Sequence, residues 1–380
     1  MEFTAPRRAL LSAIESALPA SDQGSAMPIL HSLRISAEKN GDLTVSATDL
    51  LVSCTATTQS VVKKPGAACV PARLFRDVVA RMKEGDLTLS LSTTKAGASL
   101  SVKGAGSRSA TAIPVIPGED FPSIPAPSGA PVVFPAPSLA SLFKITKPSM
   151  SADQTRPHLA CVCFSLSDGK VRAVSTDGHR LAFVEREHAA AEKAIGPWLI
   201  PSAFLSRARL PDEGEVTLSA PGKSGPLAFA WTANNLRVAW TTKLVDAAFP
   251  SYEQVIPDRY RMTATVLREE LIDSVRTVGV ASFHVVFTAE GESLSLAAEG
   301  ADTCTITDSV PCEIGGGNDG PDLEALTIAL TAEYVTQMLA SLPGERVTLR
   351  LSGELDPAVV VAEGEPGFVG IIMPRRVKGA

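Results

Sequence analysis

The sequence predicts an α+β protein made of three tandem copies of one unit, each with two helices packed on antiparallel sheet. A strand followed by a helix recurs at intervals of about 130 residues, and a second helix recurs in step with it. Between the two helices lie segments in which apolar and polar residues alternate, as in β-hairpins. Because one unit is close to a third of the 380 residues, the repeat accounts for the whole chain.

Each copy opens with a short strand and its helix. These segments read MEFTAPRRALLSAIESAL from Met1, VVFPAPSLASLFKITKPSM from Val132 and MTATVLREELIDSVRTVGV from Met262. In the first copy, apolar residues recur on one face at helical spacing and Glu15 interrupts them. This pattern favours an amphipathic helix over a targeting signal.

The second helix and its flanking strands complete the unit. The helices read VPARLFRDVVARM from Val70, IPSAFLSRARL from Ile200 and LTAEYVTQMLASL from Leu330. The alternating strands that follow them are DLTLSLS, EVTLSAP and RVTLRLS. The preceding hairpins are LRISAEKNGDLTVSATD, FSLSDGKVRAVSTDGHR and VVFTAEGESLSLAAEGAD, whose turns contain Gly.

Two proline-dense segments, 116–131 and 249–257, separate the copies. Proline cannot donate to a sheet ladder and biases its predecessor away from helix, so these segments predict extended linkers. We therefore expect domains at 1–128, 129–257 and 258–380. Helices on one face of a sheet leave strand edges open, and these edges can pair across the joints. All edges are covered only if the array closes into a ring, for instance by dimerisation.

The composition excludes several classes of protein. A hydrophobic fraction of 45% with 20% charged residues is typical of globular domains, not of disordered or fibrous chains. No apolar run reaches the roughly 18 to 20 residues of a membrane helix, so we expect no membrane partner. The six Cys form no C-x-x-C and the five His never pair at ligand spacing, so we expect a reducing cytoplasm, no metal and no cofactor. A net charge of −6 leaves room for one basic face toward nucleic acid.

Six short segments occur in an order and spacing that matches one protein family. They are MPIL (27–30), ATDL (47–50), VPARLFRDV (70–78), TDGHRLA (176–182), LVDAAFPSYEQVIP (244–257) and IIMPRRV (371–377). Over residues 1–377 the chain resembles the bacterial DNA polymerase III beta subunits, the sliding clamps. The resemblance implies three clamp domains per chain, two chains closing head to tail into a dimeric ring, and double-stranded DNA threading the hole without sequence preference.

The same resemblance implies a cytoplasmic replication factor without catalytic residues of its own. It implies that the clamp tethers the DNA polymerase III alpha subunit, is placed on DNA by a loader through its delta subunit, and binds other proteins that carry a clamp-binding motif. A ring gains processivity topologically, so weak phosphate contacts from Lys and Arg are sufficient.

Basic residues on the predicted helices are therefore candidates for contact with DNA. They include Arg73, Arg76, Lys144, Lys147, Arg207 and Arg209, together with Arg7, Arg8, Arg81, Arg268 and Arg276. By resemblance the segment 154–159 also reaches DNA and contributes Gln154, Arg156 and His158. The alternative for each is an ordinary solvated cation on an amphipathic helix.

In the family, partners dock a short peptide with Gln and Leu or Phe anchors into one apolar pocket. Matching by motif implies a pocket of Leu159, Thr176, Gly178, His179, Arg180, Leu181, Pro250, Val255, Phe283, Tyr334, Ile372, Met373, Pro374, Arg376 and Val377. Such a peptide needs a concave apolar surface with a few fixed polar groups. Gly178 would let the ligand backbone approach closely, and Arg180 would supply a fixed donor.

Two other hypotheses compete with a replicative clamp. The family's usual apolar residue after Met-Pro is here Arg375, and Lys378 to Ala380 extend past the usual end. These differences favour a clamp paralogue with an altered pocket that serves repair, resistance or regulation. The third hypothesis is an enzyme using Asp177 and His179, but no nucleophile elbow, phosphate loop or metal spacing accompanies them, and a tight hairpin turn explains both residues. Taken alone, the segment IIMPRRV predicts an ordinary terminal edge strand. Cys161 and Cys163 lie two residues apart, so their side chains are on the same face of a strand, and we expect both in the core.

Overall fold

The computed structural model describes residues 1–94, 97–106, 110–127, 129–189, 195–221, 225–300, 304–320 and 324–376. In these ranges the helices are α1 (Arg7–Ala17), α2 (Ala72–Arg81), α3 (Ala136–Thr146), α4 (Ser202–Arg207), α5 (Arg268–Val278) and α6 (Ala332–Ser341). Within the same ranges, no helix combines the length and the apolar character that a membrane crossing requires.

The strands are short and follow the helices in a repeated order. The first group is β1 (Glu2–Pro6), β2 (Ser32–Ala37), β3 (Asp42–Thr48), β4 (Val52–Gln59), β5 (Val61–Lys64), β6 (Gly66–Pro71), β7 (Asp86–Thr94), β8 (Gly97–Gly104), β9 (Thr111–Pro114) and β10 (Ile116–Pro117). The second group is β11 (Pro131–Pro135), β12 (Cys161–Ser167), β13 (Lys170–Thr176), β14 (Arg180–Glu187), β15 (Ile195–Pro201), β16 (Glu215–Ser219), β17 (Leu227–Ala233) and β18 (Leu236–Thr242). The third group is β19 (Met262–Leu267), β20 (His284–Glu290), β21 (Ser293–Glu299), β22 (Thr305–Pro311), β23 (Glu313–Gly316), β24 (Ala325–Thr331), β25 (Arg346–Leu351), β26 (Ala358–Ala362) and β27 (Glu365–Ile372).

The order of elements confirms the predicted repeat. Strands β1, β11 and β19 each run directly into a helix, and β6, β15 and β24 each run into the second helix of their copy. Strands β7, β16 and β25 then follow those second helices, as the alternating segments predict. The chain is therefore a threefold repeat of an α+β unit with antiparallel sheet.

The chain forms two compact units that do not coincide with the three copies. Unit one contains Met1–Ala140 and Ala203–Leu244, and unit two contains Ser141–Ser202 and Val245–Ala380. The central copy is divided because one of its sheets continues into a sheet of the first copy, and its other sheet continues into a sheet of the third.

Unit one contains two sheets with antiparallel pairing. The shorter has the order β5-β1-β7-β8-β9, and the nine-stranded sheet has the order β10-β6-β2-β3-β4-β18-β17-β16-β11. The join between copies is the β4–β18 pair, in which Val52 lies opposite Thr242 and Thr57 opposite Arg237. Helix α1 buries Leu10 and Ile14, which confirms its predicted apolar face.

Unit two is organised in the same way. Its nine-stranded sheet has the order β15-β12-β13-β14-β27-β26-β25-β19-β23, and its four-stranded sheet has the order β22-β21-β20-β24. The join is the β14–β27 pair, from Arg180 opposite Ile372 to Val184 opposite Phe368. Cys161 and Cys163 lie in a buried cluster, as predicted. Of the segment 371–377, only Ile371 and Ile372 lie in a strand, β27, which pairs with both β14 and β26 and is therefore interior; the prediction of an edge strand is wrong for these two residues, and 373–376 are irregular.

Two cations predicted on helices lie outside them. Helix α4 ends at Arg207, and Arg209 follows it in an irregular segment. Pro211 disfavours helical backbone at Leu210, which explains the early end. Lys147 lies in a short 3-10 turn after α3, again with a proline next to it.

Candidate functional site

The turn between β13 and β14, residues 176–180, is fixed by its own side chains. The Thr176 hydroxyl accepts a hydrogen bond from the Gly178 N–H at 3.1 Å. One carboxylate oxygen of Asp177 accepts from the N–H groups of His179 at 2.8 Å and Arg180 at 3.0 Å. Gly178 has φ +93°, a left-handed conformation that favours glycine. The tight turn predicted for Asp177 and Gly178 is confirmed.

Arg180 fastens this turn to helix α6. Its Nε donates to Asp177 at 3.0 Å, and its Nη1 donates to Oε1 of Gln337 at 2.7 Å. The guanidinium also lies 4.4 Å from the centroid of the Tyr334 ring, at cation–π distance. Only 8% of Arg180 is exposed. Its main role is therefore to hold the turn and Tyr334 in register, rather than to offer free donors to a ligand.

The C-terminal segment passes the same turn. The Met373 N–H donates to the His179 carbonyl at 2.9 Å, directly after β27 ends. Two residues later the Arg375 N–H donates to the Ala329 carbonyl of β24 at 2.8 Å. The first of these bonds places Met373 beside His179. Ile372 is buried, whereas 41% of Met373 is exposed.

The segment around Tyr252 packs on the buried cluster that includes Leu181. The Tyr252 ring is tilted against Phe183 at 5.9 Å and meets Phe249 edge-on at 6.2 Å, measured between ring centroids. Burial, with a contribution from neighbouring Glu253, raises the pKa of Tyr252 to about 12. Pro250 and Val255 flank this anchor, and Val255 stays half exposed.

Unit two exposes a further large apolar side chain near the start of α6. Phe283 is 85% exposed, and its carbonyl accepts from the Ala332 N–H at 3.0 Å, which places it at the start of α6 near Tyr334. Leu159, two residues before β12, is buried and contributes floor rather than rim. Exposed apolar groups at one place mark a surface for binding another molecule. Val377 and residues 378–380 lie outside the described residues.

A small cavity of about 210 Å³ adjoins the C-terminal segment. It is lined by Val286, Thr327, Ile328, Ala329, Glu354, Leu355, Arg375 and Arg376. The sequence analysis missed Gln337 and this cavity. The Arg180–Gln337 bond spans 157 positions, so no local pattern signals it.

The candidate DNA-contacting residues differ in how they are engaged. In the described ranges, Arg73 and Lys144 are exposed and have no ion-pair partner. Arg76 lies 3.2 Å from Asp77, and Arg156 donates to Asp153 at 3.1 Å. Gln154 donates a hydrogen bond to Ser202, and Arg207 donates to Asp49. His158 is half-buried, and Lys147 and Arg209 are exposed.

Two further arginines form cross-links within the fold. Arg7 Nε donates to the Val79 carbonyl at 3.0 Å, and Arg268 Nη1 donates to the Leu339 carbonyl at 3.2 Å. Both occupy the first position of the opening helix of their copy and bind the second helix. Each of these arginines therefore links the two helices of its copy.

Within the described ranges, no three His, Cys, Asp or Glu side chains are grouped closely enough to hold a metal ion. Asp177 binds backbone N–H groups and Arg180, which leaves it as a structural acceptor in a turn.

Comparison with known proteins identifies relatives along the whole chain. Two family models match: the N-terminal domain of the DNA polymerase III beta subunit over residues 1–125, and its central domain over residues 134–251. The beta sliding clamp of Caulobacter vibrioides is 27% identical over 99% of this chain and 100% of its own length. The beta sliding clamp of Escherichia coli is 24% identical, with the same coverage.

Solved structures agree in fold. A C. crescentus beta sliding clamp superimposes with a TM-score of 0.87 at 26% identity, covering 99% of this chain and 100% of that one. A Bacillus subtilis DNA polymerase sliding clamp has a TM-score of 0.88 at 18% identity, which shows a shared fold.

Proposed function

This chain belongs to the DNA polymerase III beta subunit family and is a non-catalytic DNA sliding clamp, and from that premise we propose that two copies close into a ring around double-stranded DNA. In this ring each chain contributes domains 1–128, 129–257 and 258–380. The ring acts in the cytoplasm as a processivity factor and tethers DNA polymerase III during replication.

Ring closure is supported by a pattern of strand pairing that both joins share: the last strand of one three-stranded series pairs with the last strand of another. In unit one, β18 is the last strand of the β16–β17–β18 series and pairs with β4, the last of β2–β3–β4. In unit two, β27 ends the series β25–β26–β27 and pairs with β14, the last of β12–β13–β14. The third equivalent pair is β9, which ends β7–β8–β9, with β22, which ends β20–β21–β22.

Both β9 and β22 are edge strands of their sheets within the described residues. An open edge with unpaired N–H and C=O groups is a template for pairing with another chain. Head-to-tail pairing of β9 in one copy with β22 of a second copy, made twice, covers the β9 and β22 edges of both copies. This supports a homodimer with twofold symmetry.

The peptide pocket is proposed around the 176–180 turn. The proposed pocket residues are Leu159, Thr176, Gly178, His179, Arg180, Leu181, Pro250, Val255, Phe283, Tyr334, Ile372, Met373, Pro374, Arg376 and Val377, the last of which lies outside the described residues. The DNA polymerase III alpha subunit, the clamp loader delta subunit and other proteins with clamp-binding motifs would each dock a short peptide there. Support comes from the exposed Met373 bonded to the rigid turn at His179, and from the exposed Val255 and Phe283 in the same unit.

DNA contact is proposed to rest first on Arg73 and Lys144, because both are exposed and without an ion-pair partner in the described ranges. Arg76, Lys147, Gln154, Arg156, His158, Arg207 and Arg209 would contribute less where a neighbour engages them. Phosphate contacts of this kind give modest affinity that falls steeply with salt.

A paralogue with an altered partner pocket is the second candidate. Arg375 and Arg376 line the 210 Å³ cavity beside the pocket, together with apolar Val286 and Leu355. Two guanidiniums at this rim favour partners with acidic residues. A clamp with such partners would serve repair, resistance or regulation instead of bulk replication.

Retention on circular and linearised DNA tests encirclement, after loading with a clamp loader and ATP. We expect the protein to remain on circles and to leave linear DNA through its ends. Equal retention on both would exclude a ring. Sedimentation of the free protein supplies the second measurement, because the proposal requires twice the 39.7 kDa chain mass.

Partner docking is tested with Met373→Ala. The variant should lose both loader-dependent retention on circles and stimulation of the polymerase, since the loader delta subunit and the polymerase alpha subunit are proposed to dock at the same pocket, but it should still sediment as a dimer. A variant that sediments as the 39.7 kDa chain would place Met373 in ring closure instead.

A further inference from the structure

Unit one contains a second copy of the docking turn, at residues 48–52. The Thr48 hydroxyl accepts from the Leu50 N–H at 3.0 Å, as Thr176 accepts from Gly178. One oxygen of Asp49 accepts from the N–H groups of Leu51 at 2.8 Å and Val52 at 2.6 Å, as Asp177 does with the two residues at its equivalent positions. Leu50 has φ +77°, in the same left-handed region as Gly178.

The surroundings of the two turns also correspond. The Lys243 N–H, just after β18, donates to the Leu51 carbonyl at 2.9 Å, as the Met373 N–H after β27 donates to His179. Buried Leu30 precedes β2 by two residues, as Leu159 precedes β12.

The helix contact is repeated as well. The sixth residue of α4, Arg207, donates to the second carboxylate oxygen of Asp49. The sixth residue of α6, Gln337, accepts from Arg180, which is itself bonded to Asp177. Unit one therefore repeats four features of the proposed peptide pocket. They are the turn, the buried leucine two residues before a strand, the segment that follows the last strand, and the contact between the turn and a helix.

The second copy differs in what it exposes. Leu50 is 42% exposed and Leu51 56%, and Met27, three residues before Leu30, is 47% exposed. A left-handed backbone is unfavourable for leucine, and the hydrogen bonds of the turn offset this cost. Lys243 is exposed and, in the described part of the chain, has no ion-pair partner. Arg207 pairs with Asp49 inside the turn, so Lys243 is the exposed cation next to Leu51.

We infer that Met27, Leu50, Leu51 and Lys243 form a second docking site for a short extended peptide with an apolar side chain next to a carboxylate. The leucines contact the apolar side chain and the Lys243 ammonium pairs with the carboxylate. The inference rests on the proposed function for the class of ligand, a peptide segment of a clamp partner.

This second site is shallower than the first. A Cβ placed at Gly178 meets no atom within 4 Å, whereas the side chain of Leu50 occupies the equivalent space. A peptide therefore buries less apolar surface at 48–52, and we expect its affinity to be at least about tenfold lower. A partner that carries two such segments would gain from both sites through effective concentration.

Calorimetric titration of the full chain tests the inference. The probe is a synthetic ten-residue peptide with Leu-Phe anchors and two flanking glutamates, and its match has glutamines in their place. We expect two sites per chain, one tight and one weak. Leu51→Glu should remove the weak site and leave the tight one, and Met373→Ala should weaken the tight site alone. Lys243→Ala should remove the preference of the weak site for glutamate.

The outcomes separate the two proposals. One tight site per chain, lost in Met373→Ala, overturns the second site and leaves the proposed pocket intact. A weak site that persists unchanged in both Leu51→Glu and Lys243→Ala also overturns it. Absence of any binding overturns both the pocket and the second site. Thermal unfolding of each variant, with midpoints equal to the parent's, confirms that the surface changes leave the fold intact.

Discussion

The β4–β18 join in unit one and the β14–β27 join in unit two have the same backbone design but different ionic links. In unit two, Arg186 of β14 donates through Nε to Glu365 of β27 at 2.8 Å, and through Nη2 both to Glu365 and to Ser141. The Glu365 side chain is only 9% exposed. In unit one, the ion pair of Arg237 of β18 with Asp42 of β3, at 2.8 Å, is 60% exposed on the arginine side.

On the β18 side of the first join the packing is aromatic. Trp240 of β18 is buried and packs edge-on to Phe204, 6.3 Å away, and Phe204 stacks at 4.7 Å on Phe229. Buried aromatic pairs contribute both apolar area and specific geometry. These aromatic contacts lie within the central copy, whereas the Arg186–Glu365 ion pair links the two strands of the second join directly.

Glu365→Ala should produce the largest difference between the joins. Removing one partner of a buried pair leaves the other charge uncompensated, so we expect a loss of about 3 kcal/mol in the free energy of unfolding. Asp42→Ala is the matched control in unit one, where solvent screens the pair and little change is expected. Urea denaturation measures both variants. Equal shifts in the two would show that burial does not distinguish the joins.

The two turns give a second, smaller contrast. Gly178→Ala should destabilise by about 1 kcal/mol, because the left-handed backbone penalises any Cβ although the space around it is open. Leu50→Gly removes that penalty from the folded state, but glycine also raises the conformational entropy of the unfolded chain. The two effects oppose each other, so we expect the free energy of unfolding to change by no more than about 0.5 kcal/mol. Thermal unfolding of the Gly178→Ala and Leu50→Gly variants measures both changes. A gain in Gly178→Ala would mean that the turn changes conformation in the variant.

Much of this contrast could be predicted from sequence, because it is local. The T-D-G-H-R text predicts its own turn, since Thr and Asp side chains bind backbone N–H groups two or three residues ahead. The repeat of strand and helix follows from the periodicity of 1–18, 132–150 and 262–280 in the same way. These features depend on a few neighbouring residues.

What sequence reasoning missed depends on long-range register. Arg186 and Glu365 are 179 positions apart and meet only because β14 pairs with β27. The same pairing makes Ile371 and Ile372 part of an interior strand, where an edge strand was predicted. The Asp49–Arg207 contact, which engages a candidate DNA-contacting residue within the fold, spans 158 positions and is equally invisible to local patterns.

The smallest expected effect concerns pH and Glu185 of β14. Burial alone would raise the pKa of Glu185, but hydrogen bonds from Lys170 and Arg172, both at 2.6 Å, outweigh it and leave the pKa below its usual value. A carboxyl with a lowered folded-state pKa stabilises the fold above its unfolded pKa of about 4.3, and this stabilisation is lost as pH falls through the folded value. Glu185→Gln should therefore lower stability slightly at pH 7 and flatten its decline between about pH 5 and pH 3.

Asp42 in unit one is the matched carboxyl for this measurement. Burial would raise its pKa, and hydrogen bonds from Gln59 and Arg237 hold it below the ordinary value instead. Denaturation midpoints of Glu185→Gln and Asp42→Asn, measured from pH 7 to pH 3, should both decline less than those of the parent, with the smaller change in Asp42→Asn because its arginine partner is mostly exposed. A steeper acid decline in either variant would mean that the folded state raises the pKa of that carboxyl, so that its neighbours destabilise the ionised form instead of stabilising it.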